Sequence, residues 1–371
     1  MTDKQVLFTP GPLSTSKATK NAMLRDWGSR DAEFITLTQE IKLAIEKIAG
    51  VEEKAPTHNC VLIQGSGTFV IEATIDTLIP RGTKILVLIN GAYGRRIAKI
   101  CQLHNRPYVT LETDEDTPPT KKQVLDLLKT EKSITHVLAV HCETTSGILN
   151  PIVEVSDAVA EAGRILIIDA MSSFGALPLS VSSIKCAAIV ASSNKCLEGV
   201  PGIGFAIVEK TILSNCKNNA SSLSLDLYDQ WQNFENTGQW RFTPPTHVLA
   251  ALRQALDEHD AEGGVEGRGY RYRENCEMLV KGMKALGFKP YLCGELQSPI
   301  IVTFCIPEAI DFDFAQFYGR LHKRGFLIYP GKITKADSFR IGCIGQIQKI
   351  DIKNLVVAVA DTIEEMGIKS L

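Results

Sequence analysis

Apolar residues along this chain gather into short unbroken runs, and the stretches between them carry apolar positions at three- and four-residue spacing. The runs at 61–63, 84–89, 108–111, 136–141, 164–168 and 187–191 read as strands, because a run without polar alternation belongs to a strand buried on both faces. Helical spacing predicts a helix over 31–49, carried by Phe34, Leu37, Ile41, Leu43, Ile45 and Ile48 and ended by Gly50. Further helices are predicted over 68–79, stopped by Pro80, over about 94–103, and between the later strands. Strands alternating with helices of this length predict an α/β fold, a mostly parallel sheet between helix layers.

The two ends of the chain depart from that pattern. Residues 6–12 contain Pro10, Gly11 and Pro12 and read as an extended arm. Beyond Gly263-Gly264 a long charged helix is predicted over 265–286, followed by short strands at 300–304 and 338–341. The expected organisation is a large domain with its N-terminal arm, 1–255, and a smaller C-terminal α+β domain, 256–371, joined between about 252 and 265. A length of 371 residues, more than one hydrophobic core usually spans, agrees with two domains.

Composition narrows the function classes. Forty basic and forty-two acidic side chains are mixed along the chain, so neither nucleic acid nor an anionic membrane finds a basic stripe. No apolar stretch reaches the eighteen or more residues of a membrane span. The ten cysteines are scattered without a C-x-x-C pair, which argues against a metal site or a disulfide scaffold and for free thiols in a reducing compartment. Met1 to Gln5 carry no basic and apolar leader, so a cytoplasmic protein is expected.

The chemistry sits where the strands end. Lys195 follows the 187–191 run and precedes a glycine-rich loop over 199–204. An amine placed where a buried strand runs out is positioned to be desolvated, which favours its neutral, nucleophilic form; a solvated surface lysine is the ordinary alternative. Asp169 closes the 164–168 run, and strand ends of an open parallel sheet converge on one crevice. Gly65-Ser66-Gly67-Thr68 lies between a strand and a helix, where free amides and hydroxyls make a phosphate cradle, or else a plain turn capped by Thr68. Tyr93, between Gly91 and Gly94, can stack on a planar ring or merely pack. Thr144 and Thr145, in Cys142-Glu143-Thr144-Thr145-Ser146-Gly147, can bond a ring hydroxyl or cap a turn. Together these residues suit pyridoxal 5'-phosphate, which takes an amine for its aldehyde, a carboxylate for its ring nitrogen, an amide-lined phosphate site and a stacking partner.

These segments, with Phe8-Thr9-Pro10-Gly11-Pro12, Ile168-Asp169-Ala170-Met171-Ser172-Ser173, Ser193-Asn194-Lys195-Cys196-Leu197-Glu198-Gly199-Val200-Pro201-Gly202 and Phe339-Arg340-Ile341-Gly342, resemble the fold-type I pyridoxal-phosphate aminotransferases of class V, in order along essentially the whole chain. The run from Lys195 to Gly202 most resembles the branch that transfers the amino group of 2-aminoethylphosphonate to pyruvate. Its close relatives, the alanine–glyoxylate and serine–pyruvate aminotransferases, share the other motifs. The resemblance implies that Lys195 carries the cofactor and shuttles the proton, and that Asp169 pairs with the ring nitrogen. It implies that Ser66, Gly67 and Thr68 hold the phosphate, with Tyr93 on the ring and Thr144, Thr145, Met171 and Ser192 around it. Thr243 would reach the phosphate of a neighbouring subunit in a homodimer, and Arg340 would grip the acidic group of the substrate. Arg30 is a further candidate for a dianion, against a plain salt bridge at a helix start. A nucleotide-dependent dehydrogenase is the rival in another class, and its fingerprint fails at Val70; a non-catalytic binding protein would have no need of Lys195.

Overall fold

The computed structural model describes residues 5–368 except 293, 310 and 332. Cys293 and the first four residues, from which the lack of a leader is read, lie outside the described set. Seven strands form the central sheet: β1 (His58–Gln64), β2 (Lys84–Ile89), β3 (Tyr108–Glu112), β4 (Ile134–Val140), β5 (Ile165–Asp169), β6 (Ala188–Ser192) and β7 (Ile203–Glu209). Their order across the sheet is β1-β7-β6-β5-β4-β2-β3, and all neighbours are parallel except at β7, which is antiparallel to both β1 and β6.

The unbroken apolar runs have a direct cause in this sheet. Along β2, Leu86 and Leu88 join the core on one face while Ile85, Val87 and Ile89 join the core on the other. In β4, Val137 and Ala139 face the first core and Leu138 and Val140 the second. A strand with helices on both faces has no polar side to display. The helix Ala32–Ile48 covers one face with Phe34, Leu37, Ile41 and Ile45, and the helix Gly67–Leu78 covers the other with Val70, Ile71 and Ile75.

Strand β7 falls where the sequence reads as the end of a glycine-rich loop. Gly204 lies inside the strand, and a Cβ there would stand 2.6 Å from Val70 Cγ1 of the covering helix. This glycine therefore serves close packing of a helix on the sheet. The loop itself ends at Gly202, whose φ of +136° favours glycine.

The helix Thr246–Ala261 runs unbroken through residues 255 and 256 and packs Leu249, Ala250, Leu252 and Leu256 into the large core. The long helix Gly264–Ala285 follows, and then a three-stranded antiparallel sheet of β8 (Ile301–Cys305), β10 (Ser338–Gly342) and, at its edge, β9 (Tyr329–Pro330). Its core is aromatic: Phe288, Phe304, Phe317 and Phe339 cluster within 5.5–6.4 Å of Phe288 or Phe339. The N-terminal arm joins this smaller unit. Val6–Leu7 pair in parallel with Phe326–Leu327, and Phe8 is wholly buried in the same core. Among the described residues no helix is long and apolar enough to cross a membrane, and the nine cysteines are unpaired.

Candidate active site

Because β1, β2, β4, β5 and β6 run parallel, their carboxyl ends open on one edge of the sheet, and the loops that follow them supply the site. A cavity of about 200 Å³ lies there. Ser66, Gly67 and Thr68 line it from the turn and helix start after β1, and Tyr93 from the first turn of the helix after β2. Asp169 and Met171 come from the end of β5, and Ser192 and Lys195 from the end of β6.

The cradle is a helix start. Ser66 is the N-cap of Gly67–Leu78 but its hydroxyl bonds none of the helix amides, and the N–H groups of Gly67 and Thr68 make no hydrogen bond among the described residues. Free amides at a helix N-terminus attract an anion. Gly65 has a φ of +122°, and a Cβ on Gly67 would stand 2.6 Å from the Met171 Sδ. Glycine at 67 keeps the cradle open against Met171.

Arg96, one helical turn after Tyr93 in the helix Ala92–Leu103, is a residue that motif reading misses. It lines the cavity, donates from Nη1 to Thr68 Oγ1 at 3.1 Å, and lies over the Tyr93 ring at 4.9 Å from its centroid. The signal available in the sequence was the three-residue spacing from Tyr93, which puts both side chains on one helix face.

Asp169 ends β5 buried, its Oδ1 accepting from the Met171 N–H at 3.0 Å. Loss of hydration pushes its carboxyl up to about 6; the Met171 N–H works against that shift, and the nearby Glu143 carboxylate adds to it. Lys195 Nζ donates to the Pro10 carbonyl at 2.6 Å, so the N-terminal arm reaches the lysine. The turn that carries Lys195 is fastened from behind. Glu198, in the left-handed region at φ 59°, accepts from Tyr272 Oη at 2.5 Å, Arg271 Nη2 at 2.7 Å and Gln346 Nε2 at 2.7 Å.

Glu143 is a second residue the motifs did not single out. Fully buried, it accepts from the Tyr93 N–H at 3.1 Å, the Gly94 N–H at 3.3 Å, and both the N–H (3.0 Å) and hydroxyl (2.6 Å) of Thr145. A carboxylate at the start of the Tyr93 helix also meets the positive end of its dipole. Burial nevertheless raises its carboxyl above the ordinary range. A side chain on Gly91 would collide with Glu143, which explains that glycine.

The two threonines part company here. The Thr145 hydroxyl is engaged, accepting from the Ala92 N–H at 2.8 Å while it donates to Glu143, whereas the buried Thr144 Oγ1 has no partner. Neither lines the cavity. Ser192 Oγ is likewise buried without a partner. Arg340, on β10 of the smaller unit, reaches the same strip: Nη1 donates to the Thr144 carbonyl at 2.8 Å and Nε to the Pro330 carbonyl at 3.0 Å. Thr243 is exposed and outside the cavity, beside Phe242, which is 41% exposed. Arg30 is exposed as well and does not line the cavity.

An amine, a buried carboxylate, free helix-start amides with hydroxyls and an aromatic ring around one cavity fit pyridoxal phosphate part by part. The orphaned hydroxyls of Thr144 and Ser192 agree with a polar group seated beside them. A family model described as aminotransferase class-V matches residues 14–331. The chain is 50% identical over 368 residues, 99% of each chain, to 2-aminoethylphosphonate–pyruvate transaminase of Pseudomonas putida (strain GB-1). It is 50% identical to 2-aminoethylphosphonate–pyruvate transaminase 1 of Cupriavidus pinatubonensis, over 98% of this chain and 95% of the relative. Among solved structures, the alanine–glyoxylate aminotransferase of Nostoc sp. superposes with a TM-score of 0.89 at 22% identity, covering 98% of this chain and 96% of that one. The pyridoxamine-pyruvate aminotransferase of Mesorhizobium loti does so with a TM-score of 0.89 at 23% identity, covering 99% and 94%.

Proposed function

Because the chain belongs to the class-V aminotransferases, we propose that it transfers the amino group of 2-aminoethylphosphonate to pyruvate, giving phosphonoacetaldehyde and L-alanine. The observation that carries this reading is identity of 50% over 99% of the chain to relatives that bear the corresponding name. Pyridoxal phosphate, when bound, supplies an aldehyde that takes up the donor amine and a ring that accepts the electrons of the broken C–H bond.

The chain's own residues do the rest. Gly67 and Thr68, with the hydroxyls of Ser66 and Thr68, would hold the phosphate, and Arg96 adds a positive charge beside Thr68. Tyr93 would lie on the ring and Asp169 would hold the proton on its nitrogen, while Met171 and Ser192 complete the walls. Thr144, with its hydroxyl unpartnered, is better placed than Thr145 to bond a ring oxygen. Lys195 Nζ would hold the cofactor's aldehyde carbon and, when free, would be the base that takes the proton from the amine-bearing carbon. Arg340 is held by two backbone carbonyls through Nε and Nη1, which leaves Nη2 for the phosphonate of the donor or the carboxylate of pyruvate.

The exposure of Thr243 and Phe242 supports a homodimer in which Thr243 of each subunit completes the other's phosphate site. Nine described thiols, all free and eight of them buried, support a reducing cytosol as the compartment.

The test is a comparison of donors. Purified protein is given pyridoxal phosphate and pyruvate, and alanine formed from 2-aminoethylphosphonate is measured beside amine transfer from alanine to glyoxylate. Faster alanine formation from the phosphonate is expected. Transfer to glyoxylate alone would replace this reading with an alanine–glyoxylate or serine–pyruvate aminotransferase.

A further inference from the structure

A second opening, of about 780 Å³, lies between the two units and shares no lining residue with the catalytic cavity. The large unit contributes Leu149 and Leu177, the smaller unit Leu292 and Pro299, and the helix Gly264–Ala285 closes one side with Val280. These walls are apolar, and the volume falls in the range of about 300–1,000 Å³ that small-molecule sites occupy.

The mouth and the floor are polar in a particular way. Arg273, Lys281 and Lys284 line the opening along the helix face that also carries Glu277, three positive charges against one negative. Residues at these spacings share a face of a helix. Among the described residues none of the three cations has an ion-pair partner. At the floor stands His141, only 5% exposed, whose Nδ1 has no hydrogen-bond partner. Burial pulls its imidazole down to about 4, so near neutral pH the ring is uncharged and keeps one unused ring nitrogen. The cost of leaving a buried polar atom unsatisfied is removed when a ligand supplies its partner.

We propose that this cleft is a second binding site, for an amphipathic organic anion whose apolar body lies against Leu177, Val280 and Leu292 while its carboxylate or phosphate meets Arg273, Lys281 and Lys284. Apolar walls alone would accept a neutral or cationic molecule of the same shape equally well. The unpaired cations choose the sign of the charge.

Holoenzyme titrated with octanoate and with octyl phosphate should bind one molecule per chain, with octylamine binding at least about tenfold more weakly. Relative binding of the first two tells carboxylate from phosphate. The charge-reversed double variant K281E/K284E, altered at exposed positions, should weaken octanoate by about tenfold or more and leave transamination unchanged. Val280→Trp should fill the cleft and abolish octanoate binding. Equal binding of octylamine, absence of binding by either anion, or octanoate binding that survives both K281E/K284E and Val280→Trp would overturn the assignment.

Discussion

Asp169 is asked to be charged in a place that penalises charge. Its carboxyl, pushed up to about 6 by burial, binds a proton in the folded chain that the unfolded chain has already lost at the same pH. The sign follows: the stability tied to this group is fully present below about pH 4 and is lost as pH rises through about 6. Two pKa units correspond to roughly 3 kcal/mol. Urea unfolding of the cofactor-free protein should therefore show Asp169→Asn gaining on the parent between pH 5 and 8, by an amount of that order, and no gain at pH 4. The same variant in the holoenzyme should lose turnover by on the order of 10²-fold, since the amide cannot hold a positive ring nitrogen. Arg340→Lys makes a separate case: a lysine cannot bond two carbonyls and a substrate in one plane. Its expected signature is a rise of roughly tenfold or more in the apparent KM for both donor and acceptor, with the cofactor's absorbance retained. That Asp169, Lys195 and the glycine cradle would meet around one cavity was legible, because each stands where an apolar run stops. The parts of Arg96 and Glu143 were not, since an arginine in a helix and a glutamate after a strand have no motif of their own; Arg96 offers only its spacing from Tyr93, and the folded neighbours supply the rest.

At the scale of elements, Glu143 joins two loops that the sequence shows as separate. One carboxylate fixes the start of the Tyr93 helix and the Thr145 turn together. Glu143→Gln keeps the size but turns two acceptor oxygens into one, leaving an N–H group facing the backbone N–H donors. Thermal unfolding should report a loss of about 1–3 kcal/mol. Turnover should fall with it, because Tyr93 and Thr145 are no longer held. Strand positions were readable wherever both cores claim alternate residues, as along β2, whose six residues were marked in full. Strand β7 was hidden because Gly204 and the preceding glycines imitate a loop, and the need for glycine there comes from Val70, more than a hundred residues earlier.

For the whole molecule the proposed sharing of sites between two subunits makes a prediction about mixed assemblies. If Thr243 completes the neighbour's phosphate site, subunits carrying Lys195→Ala and subunits carrying Thr243→Asp are each inactive alone. In a mixed dimer one site carries both lesions and the other carries neither. Unfolding and refolding the two together in equal amounts should restore about a quarter of parental activity, as a two-fold assembly with random pairing requires. Recovery of none would separate Thr243 from the neighbouring site. The alternation of strands and helices disclosed the mostly parallel sheet, but no periodicity could show Val6–Leu7 paired with Phe326–Leu327, because nothing local ties two such short segments together.

That pairing has a consequence for how the molecule comes to exist. The arm passes from the Phe8 carbonyl, bonded to the Gly342 N–H at 2.9 Å, to the Pro10 carbonyl on Lys195 within three residues. A ribosome makes the arm some three hundred residues before the strand positions that receive it, Phe326–Leu327. The central sheet can close as soon as β7 has been made, while the arm must wait beside it with Phe8 uncovered. The lysine's neighbour at Pro10 is thus made before Lys195 itself but seated only once Phe326–Leu327 exist to hold the arm.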